Sequence, residues 1–272
     1  MLSFLKLGGS LITNKDRPHT AHRKILARLA AEIFQACQQE QGHGLVIGHG
    51  SGSFGHVAGK KHNTRAGVQT RQDWIGFVEV WRQARDLNEL VMEALDKAGL
   101  PVIAFPPSAL VTATDGQLAS WDTAPLEAAL KAGLIPVING DVIFDTQRGG
   151  TILSTEELFV HLLPLLHPSR ILLAGLEAGV WQDFPKREHL IPEITPLTFN
   201  QMTSSIQGSA AVDVTGGMYE KVLSMLSLLK MEPDLKILIF SALNSQVLFQ
   251  ALCGANPGTL IQNQSLGGQN DL

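Results

Sequence analysis

The chain has 272 residues, of which 44% are hydrophobic and 17% are charged. This composition predicts a compact globular protein and argues against a disordered one. The 21 Lys and Arg residues nearly balance the 25 Asp and Glu residues, and the formal net charge is -4. Such a balance indicates no large basic surface, so we expect neither nucleic acid nor an anionic membrane as a partner.

The N-terminus and the two cysteines favour a cytoplasmic location. The apolar run that begins at Met1 stops at Gly8, which is too short for the core of a signal peptide. No apolar stretch approaches the roughly 20 residues that cross a bilayer. Cys37 and Cys253 have no second Cys or His at metal-ligand spacing, so we expect free core cysteines and no metal held by protein ligands.

Short apolar runs alternate with longer stretches of helical period, and this alternation predicts an α/β fold with a mainly parallel sheet. The continuous apolar runs predict buried strands at residues 2–7, 44–48, 101–105, 135–138, 170–173 and 236–240. Helical spacing predicts helices at residues 25–37, 74–98, 123–132, 156–166 and 218–230. Residues 181–209, rich in Pro, Gln, Ser and Thr, predict an excursion before the last helix, and the tail after Gln264 is expected to fray.

The first candidate site follows the first predicted strand, where the sequence reads Lys6-Leu7-Gly8-Gly9-Ser10. Glycines let backbone amides approach an anion closely, and Lys6 would meet that anion as a point charge. Lys15 brings a second ammonium group to the same region. The alternative is a tight turn with a surface lysine.

The second candidate site is a glycine-rich loop after the second predicted strand, Gly48-His49-Gly50-Ser51-Gly52-Ser53-Phe54-Gly55-His56. Its amides can form a nest for phosphate oxygens, and His56 could donate to a bound phosphate. The loop has neither the Gly-Lys-Ser/Thr ending of a Walker A loop nor a Rossmann fingerprint. For His56 the alternative is a capping or core histidine, and His49 is expected to be structural.

Two further motifs stand at element ends. Asn139-Gly140-Asp141-Val142 follows a predicted strand, where an ordinary β-turn is the alternative. The segment Asp213 to Lys221 places Gly216 and Gly217 at the start of the last helix and Lys221 one turn later, where the alternative is a solvated lysine.

Together, the glycine loops and lysines predict one polyphosphate site. Direct phosphoryl transfer needs mainly positioning and cations, so we expect a kinase.

These four motifs, in this order, resemble those of the amino acid kinase superfamily, and most of all those of the isopentenyl phosphate kinases. The resemblance covers nearly the whole chain. Its discriminating residue is His56, because members that phosphorylate carboxylates or carbamate generally lack this histidine, whereas isopentenyl phosphate kinases and the related fosfomycin kinases carry it. The resemblance implies the amino acid kinase fold, a three-layer αβα sandwich forming a single domain over residues 1–272. It also implies an acceptor-binding lobe at 1–166 and a nucleotide-binding lobe at 167–264.

The resemblance implies roles for individual residues. The catalytic set would be Lys6, Lys15, His56 and Lys221. The acceptor phosphate would be bound by Ser51, Gly52, Gly55, His56, Gly140 and Asp141. ATP would be bound by Lys6, Gly8, Gly9, Ser10, Gly52, Gly216, Gly217 and Lys221. Glu156 would organise the lysines in place of the family's usual aspartate, and the acceptor's apolar tail would contact the helix at Ile75, Val78 and Ala84.

The chain departs from the family where Thr-Asp-Val-Asp-Gly is common. Here the sequence reads Ala174-Gly175-Leu176-Glu177-Ala178-Gly179, and both aspartates are missing. Ser51 also replaces a glycine that is common in the family. These differences concern nucleotide recognition and the width of the acceptor loop, while the lysines and His56 remain.

The function that the resemblance implies is that of a phosphotransferase with a phosphate group as acceptor. It would use ATP and Mg²⁺ to convert isopentenyl phosphate into isopentenyl diphosphate, in isoprenoid biosynthesis by the mevalonate pathway, as a cytoplasmic homodimer. One alternative is a kinase of a phosphonate such as fosfomycin or of another small alkyl monophosphate. A second is a nucleotide-binding regulatory protein without catalytic activity. A uridylate kinase fits less well, because the loop histidine favours a small acceptor.

Overall fold

The structure is a computed structural model that describes residues 1–40, 42–206 and 216–263. In these ranges the strands are β1 Leu2–Leu7, β2 Gly44–His49, β3 Val102–Ala104, β4 Val111–Thr114, β5 Gln117–Trp121, β6 Ile135–Asn139, β7 Asp141–Asp145, β8 Gly149–Leu153, β9 Arg170–Gly175, β10 Val180–Trp181, β11 Leu190–Ile191, β12 Glu193–Ile194, β13 Lys236–Ser241 and β14 Thr259–Ile261. The helices are α1 Gly9–Ile12, α2 Arg23–Gln39, α3 Gly52–Lys61, α4 Arg71–Lys97, α5 Pro107–Leu110, α6 Ala124–Lys131, α7 Thr155–Leu166, α8 Pro196–Ile206, α9 Gly216–Leu228 and α10 Val247–Leu252. A 3₁₀ turn covers Thr64–Ala66.

The central sheet confirms the predicted α/β fold. Its eight strands run in the order β12-β14-β13-β9-β1-β2-β6-β3. The six strands predicted from apolar runs are neighbours in this sheet, and each pair among them is parallel. Only β14 joins antiparallel, against β13. Because β1 lies in the middle, its carboxyl end and those of its neighbours meet at one edge of the sheet.

Helices cover both faces of this sheet and complete the three layers. Successive residues of β1 point to opposite faces, as the strand geometry requires. Phe4 packs in one core with Phe159 of α7, at a ring-centroid distance of 4.9 Å. Leu5 lies in the other core with Ile33 of α2 and Val91 of α4. The strands inside the sheet are therefore buried on both sides, and this explains their continuous apolar runs. The edge strand β3 was also predicted to be buried, but its Ile103 is 38% exposed because no described strand covers that edge.

Sequence patterns missed a second sheet, in which four strands run in the order β5-β4-β7-β8. Its strands are short and polar on one face, so they lack the apolar signature of the central strands. The sheet packs on α4 through a third small core that includes Phe77, Val80 and Val142. The segment between β2 and α4 is hydrogen-bonded to this sheet, since the Val68 N–H donates to the Arg148 carbonyl at 2.8 Å and the Thr151 hydroxyl donates to the Arg65 carbonyl at 3.0 Å.

The predicted helices are confirmed, with ends shifted by a few residues. The helix α4 begins earlier than predicted because Thr70 and Asp73 form a reciprocal capping box at its start. The predicted excursion at 181–209 is more ordered than expected, since it contains the hairpin β10–β11, the edge strand β12 and α8. Residues 207–209 of that segment, Asp213, and the predicted frayed tail lie outside the described residues. No described helix is both long enough and apolar enough to cross a membrane.

Substitution of Gly48 tests the close approach of β2 to α7. An alanine Cβ there would lie 2.3 Å from the Thr155 methyl carbon and 2.8 Å from the Phe159 ring. We expect Gly48→Ala to lower the free energy of unfolding by about 1–3 kcal/mol, because overpacking forces side chains or backbone to shift. Urea unfolding measures this change. The control is Gly175→Ala, whose Cβ would meet no atom within 4 Å; equal stability of both variants would contradict the tight packing.

Candidate active site

The predicted site residues gather at the carboxyl edge of the central sheet. Lys6 projects near the end of β1, the loop that carries His56 follows β2, and Gly140 follows β6. Glu156 stands in the first turn of α7, directly after β8. Side chains that are far apart in the sequence therefore meet because parallel strands end together.

The first cavity, here called the lysine cavity, has a volume of about 240 Å³. Its predicted lining residues are Lys6, Gly8, Gly9, Ser10, Lys15, Glu156 and Lys221. Ala174, Gly175, Leu176 and Glu177 also line it, and they belong to the segment that the resemblance connects with nucleotide recognition. Sequence reasoning did not assign the remaining wall residues, namely Leu173, Met218, Ile239 and Phe240, because apolar residues at the ends of β9 and β13 gave no sign of a ligand site.

Lys6 and Glu156 form the central ion pair of the lysine cavity, with the Lys6 ammonium donating to a Glu156 carboxylate oxygen. Burial alone would raise the pKa of Glu156, but the charge and hydrogen bond of Lys6, together with the charge of Lys221, hold this pKa below its usual value. Burial lowers the pKa of Lys221, and the Lys6 charge lowers it further, while Glu156 acts in the opposite direction. One carboxylate thus faces two ammonium groups, which leaves positive charge for an anionic ligand.

Close backbone contacts hold the two glycine loops together. The Gly50 N–H of the second loop donates to the Leu7 carbonyl beside the first at 3.1 Å, and the Gly8 N–H anchors the first loop to β9 by donating to the Ala174 carbonyl at 2.8 Å. A Cβ on Gly9 would lie 2.5 Å from the Gly52 nitrogen, so this contact requires glycine. Gly52 also has a φ of +50°, which an L side chain rarely adopts. Gly52 lines neither cavity, and instead forms the boundary between the two loops.

The second cavity, here called the histidine cavity, lies on the other side of this contact and has a volume of about 420 Å³. The predicted residues Ser51, Gly55, His56, Gly140 and Asp141 line it. His56 is exposed rather than a core histidine. Further lining residues are Gly59, Lys60, Asn63, Arg65, Val80, Ala84 and Ile152.

The apolar wall of the histidine cavity corrects the expected tail contacts. Ala84 lines the cavity as predicted, but Ile75 and Val78 do not, and they are 53% and 44% exposed. The buried face of α4 passes through Phe77, Val80 and Ala84, so Ile75 and Val78 lie on the solvent side of the same helix. Val80 and Ile152 therefore stand where Ile75 and Val78 were expected.

Asp141 is a buried acid in the wall of the histidine cavity. Burial raises its pKa to about 6, although hydrogen bonds from Ser108 and from the Val142 N–H, at 2.8 Å, favour the carboxylate. Near neutral pH a fraction of these carboxyl groups is therefore protonated. A protonated acid can donate to a phosphate oxygen and repels an anion less than a carboxylate does.

The first turn of α7 links the two cavities. Ser154 and Glu157 form a capping box, and the Thr155 hydroxyl donates to the His49 carbonyl at 2.6 Å. Glu157 also accepts a hydrogen bond of 2.6 Å from Arg65, which lines the histidine cavity, while its neighbour Glu156 holds Lys6. The Ser-x-x-Glu spacing in the sequence was the available signal for this turn.

The structure also places His49 and the start of the last predicted helix. His49 is fully buried, with its Nε2 atom 3.0 Å from the Asn88 side-chain oxygen, as expected for a structural histidine. Gly216 and Gly217 open α9, which carries Met218 and Lys221 into the lysine cavity. Gly217 itself is exposed, and the preceding residues 207–215 lie outside the described part of the chain.

The model of the amino acid kinase family matches residues 1–241. The chain belongs to this family. It is 33% identical over 264 residues to an isopentenyl phosphate kinase of Haloferax volcanii, covering 97% of this chain and 99% of the relative. It is 32% identical over 231 residues to an isopentenyl phosphate kinase of Methanothermobacter thermautotrophicus, covering 82% and 85%. The resemblance predicted from the motifs is confirmed.

Solved structures of the amino acid kinase fold agree with this assignment. An isopentenyl phosphate kinase structure superposes with a TM-score of 0.81 at 28% identity, covering 96% of this chain and 100% of that one. N-acetylglutamate synthase from Neisseria gonorrhoeae superposes with a TM-score of 0.67 at 16% identity, covering 97% of this chain and 62% of that one. The second likeness concerns the fold alone.

Replacement of Glu156 by Gln tests the central ion pair through the pH dependence of stability. The pKa of Glu156 lies below 4.5 in the folded chain, so its carboxylate contributes stability that is present above pH 4.5 and lost as the pH falls through the folded pKa. We expect the wild type to be more stable than Glu156→Gln near pH 7, and this difference to shrink at about pH 4. Urea unfolding at both pH values measures it.

The control for this experiment is Glu89→Gln, at an exposed helix position where Glu89 pairs with Arg85. Exposed pairs of this kind contribute little, so the control should differ from the wild type only slightly at either pH. A Glu156→Gln variant as stable as the wild type at pH 7 would contradict a stabilising role for the Lys6–Glu156 pair.

Proposed function

We propose that this chain transfers the γ-phosphoryl group of ATP to isopentenyl phosphate, giving isopentenyl diphosphate and ADP. The observation that carries the proposal is the pairing of two cavities across the Gly9–Gly52 contact, one with three lysines and the other with the exposed His56. This arrangement suits a phosphate donor on one side and a phosphate acceptor on the other. The relatives named isopentenyl phosphate kinase supply the identity of the acceptor.

The proposed acceptor site is the histidine cavity. His56 would donate to the acceptor phosphate, together with backbone amides near Ser51 and Gly55, while Gly140 and Asp141 close the cavity. The apolar tail would contact Val80, Ala84 and Ile152, which line the same cavity. This apolar wall favours an alkyl acceptor over a compact polar phosphonate.

The proposed donor site is the lysine cavity. Gly9 and Ser10 would contact ATP phosphates through backbone amides, while Gly8, whose N–H is donated to the Ala174 carbonyl, would shape the wall beside them. The start of α9 at Gly216 and Gly217 would add the positive end of a helix. Lys221 would hold the same phosphates from one turn further along that helix.

In the proposed reaction, an oxygen of the acceptor phosphate attacks the γ-phosphorus in line, and the bond between that phosphorus and the bridging oxygen of ADP breaks. Lys6, Lys15 and Lys221 neutralise charge on the transferring group, and Glu156 holds Lys6 in place. The acceptor oxygen is already anionic at neutral pH, so the reaction needs no general base. Catalysis rests on positioning and on electrostatic stabilisation.

The described side chains of the lysine cavity do not form a binding site for Mg²⁺. Its central carboxylate, Glu156, is engaged by Lys6. Glu177 at its wall accepts hydrogen bonds from Arg187 and Trp181. In the described ranges, the one group of acids and histidine at metal-binding spacing is Asp183, Glu188 and His189, which does not line the cavity. We therefore propose that Mg²⁺ enters as the ATP complex, with phosphate oxygens as its ligands.

Glu177 partly offsets the loss of the family's aspartates. It lies in the segment where the family's aspartates are common, and it lines the lysine cavity. Arg187 holds its carboxylate through two hydrogen bonds, of 2.7 and 3.1 Å. We propose that this fixed carboxylate contributes to nucleotide recognition.

The cellular setting is proposed from the family resemblance. We propose a cytoplasmic homodimer that acts in isoprenoid biosynthesis by the mevalonate pathway. Residues 1–166 would bind the acceptor and residues 167–264 would bind much of the nucleotide. Among the described residues, those that line the histidine cavity all lie within 51–152, whereas the lysine cavity draws on both parts of the chain.

A coupled assay of ADP release with Mg-ATP tests the proposed function against its alternatives. Isopentenyl phosphate, fosfomycin and uridine monophosphate serve as separate acceptors. We expect turnover with isopentenyl phosphate and at most slow turnover with the other two. Preference for fosfomycin would favour the phosphonate kinase, and ATP binding without turnover of any acceptor would favour the regulatory protein.

Replacement of His56 by Ala tests the acceptor site. We expect kcat/KM for isopentenyl phosphate to fall about 10²-fold, because a charge-assisted hydrogen bond to the acceptor phosphate is lost. The KM for ATP should change little, since His56 does not line the lysine cavity. Steady-state kinetics with each substrate varied in turn gives both values. The control is His43→Ala, a surface histidine beside Glu40; equal kinetics of the two variants would refute the assigned role.

A further inference from the structure

Thr13 ties together the loops that line the two cavities. It follows α1 and is fully buried. Its hydroxyl donates to the Gly9 carbonyl at 2.7 Å and accepts from the Ser53 N–H at 2.9 Å. One side-chain oxygen therefore links a residue of the lysine cavity to the loop that carries His56.

Thr13 also begins the loop that carries Lys15. It pairs with Ala21 in an isolated antiparallel bridge, and the adjacent Asn14 N–H donates to the Thr20 carbonyl at 2.8 Å. The same loop returns to the second glycine loop, where the His19 N–H lies 3.4 Å from the Ser53 carbonyl. Three segments with proposed roles in phosphoryl transfer thus meet around one threonine.

We propose that Thr13 is a positioning residue, whose hydroxyl sets the separation between the bound phosphate donor and the bound phosphate acceptor. This inference rests on the proposed kinase function. In-line transfer requires the attacking oxygen close to the γ-phosphorus, and a misplacement of about 1 Å can cost about 10²-fold in rate. A bridge between the two glycine loops controls that separation without touching either substrate.

The hydroxyl, rather than the shape of the side chain, carries this role. Valine has nearly the same shape as threonine but offers no acceptor to the Ser53 N–H. In Thr13→Val the Gly9 carbonyl still accepts the hydrogen bond of 2.9 Å from the backbone N–H of residue 13. The group that loses its partner is therefore the Ser53 N–H in the second glycine loop. Ser53 is buried in the first turn of α3, where helix N–H groups have no partner within the helix. The turn that carries His56 is then free to shift.

The test compares Thr13→Val, Thr13→Ser and a matched control, Thr259→Val. Thr259 is also fully buried, and its hydroxyl likewise links two backbone groups, donating to the Ile191 carbonyl at 2.6 Å and accepting from the Val180 N–H at 2.8 Å. Both valine variants should melt at a lower temperature than the wild type. Only Thr13→Val should lower kcat, by about 10- to 100-fold, with each KM within about threefold of the wild type.

Thr13→Ser keeps the hydroxyl, so it should retain kcat within about threefold of the wild type. The proposal is overturned if Thr13→Val keeps the wild-type kcat, if the loss appears only in KM, or if Thr13→Ser falls as far as Thr13→Val. If Thr13→Val does not fold, Thr13→Ala replaces it, since alanine removes the hydroxyl without any new contact. Failure of both to fold would make the hydroxyl a requirement of folding and would overturn the positioning role.

Amide hydrogen exchange provides a readout that needs no turnover. We expect faster exchange over residues 50–56 in Thr13→Val and wild-type exchange in Thr13→Ser and Thr259→Val. Unchanged exchange over residues 50–56 in Thr13→Val would overturn the proposal that the Thr13 hydroxyl holds this loop, even if the wild type phosphorylates isopentenyl phosphate. Conversely, faster exchange in a chain that phosphorylates none of the tested acceptors would refute the proposed function and leave the link between the loops intact.

Discussion

The site depends on the contact between two backbones at Gly9 and Gly52. This contact is possible because neither residue has a side chain, and because Gly52 adopts a left-handed conformation. It brings the turn after β1 against the turn after β2, although 42 residues lie between the two glycines in the sequence. Gly9 lines the lysine cavity and Ser51, next to Gly52, lines the histidine cavity, so the two cavities share a boundary at this contact. Two anions can approach each other across such a boundary.

Bringing anions together requires cations that are themselves kept in place. Lys6 is nearly buried, and an isolated ammonium in that position would be costly. Glu156 offsets this cost, and the first turn of α7 fixes Glu156 through its capping box and through Thr155. The excess of lysines over carboxylates in the cavity preserves attraction for a phosphate. Stability and ligand binding are therefore balanced within one small cluster of charges.

Much of the fold could be predicted because the central strands are buried on both faces and show continuous apolar runs. The second sheet was missed because its strands are short, contain polar residues between the apolar ones and are joined by tight turns. On α4, the sequence predicted that Val78 faces the cavity, whereas the structure buries Val80 there, on nearly the opposite side of the helix. Both residues are apolar, so only the packing of the folded chain distinguishes them. The glycine loops, the lysines and His56 were accessible from sequence because their spacing relative to strand ends has a chemical meaning. Thr13 was not, because its role depends on a hydrogen bond to a residue 40 positions away.

The small third core has a consequence for how this protein can diversify. Val80 belongs to that core and also lines the histidine cavity, and Ile152 packs against the same core. The two larger cores, on either side of the central sheet, hold the strands that end at the lysine cavity. Substitutions in the third core can therefore reshape the histidine cavity while the strands at the lysine cavity keep their packing. In this architecture the shape of one cavity can change without repacking the strands beside the other.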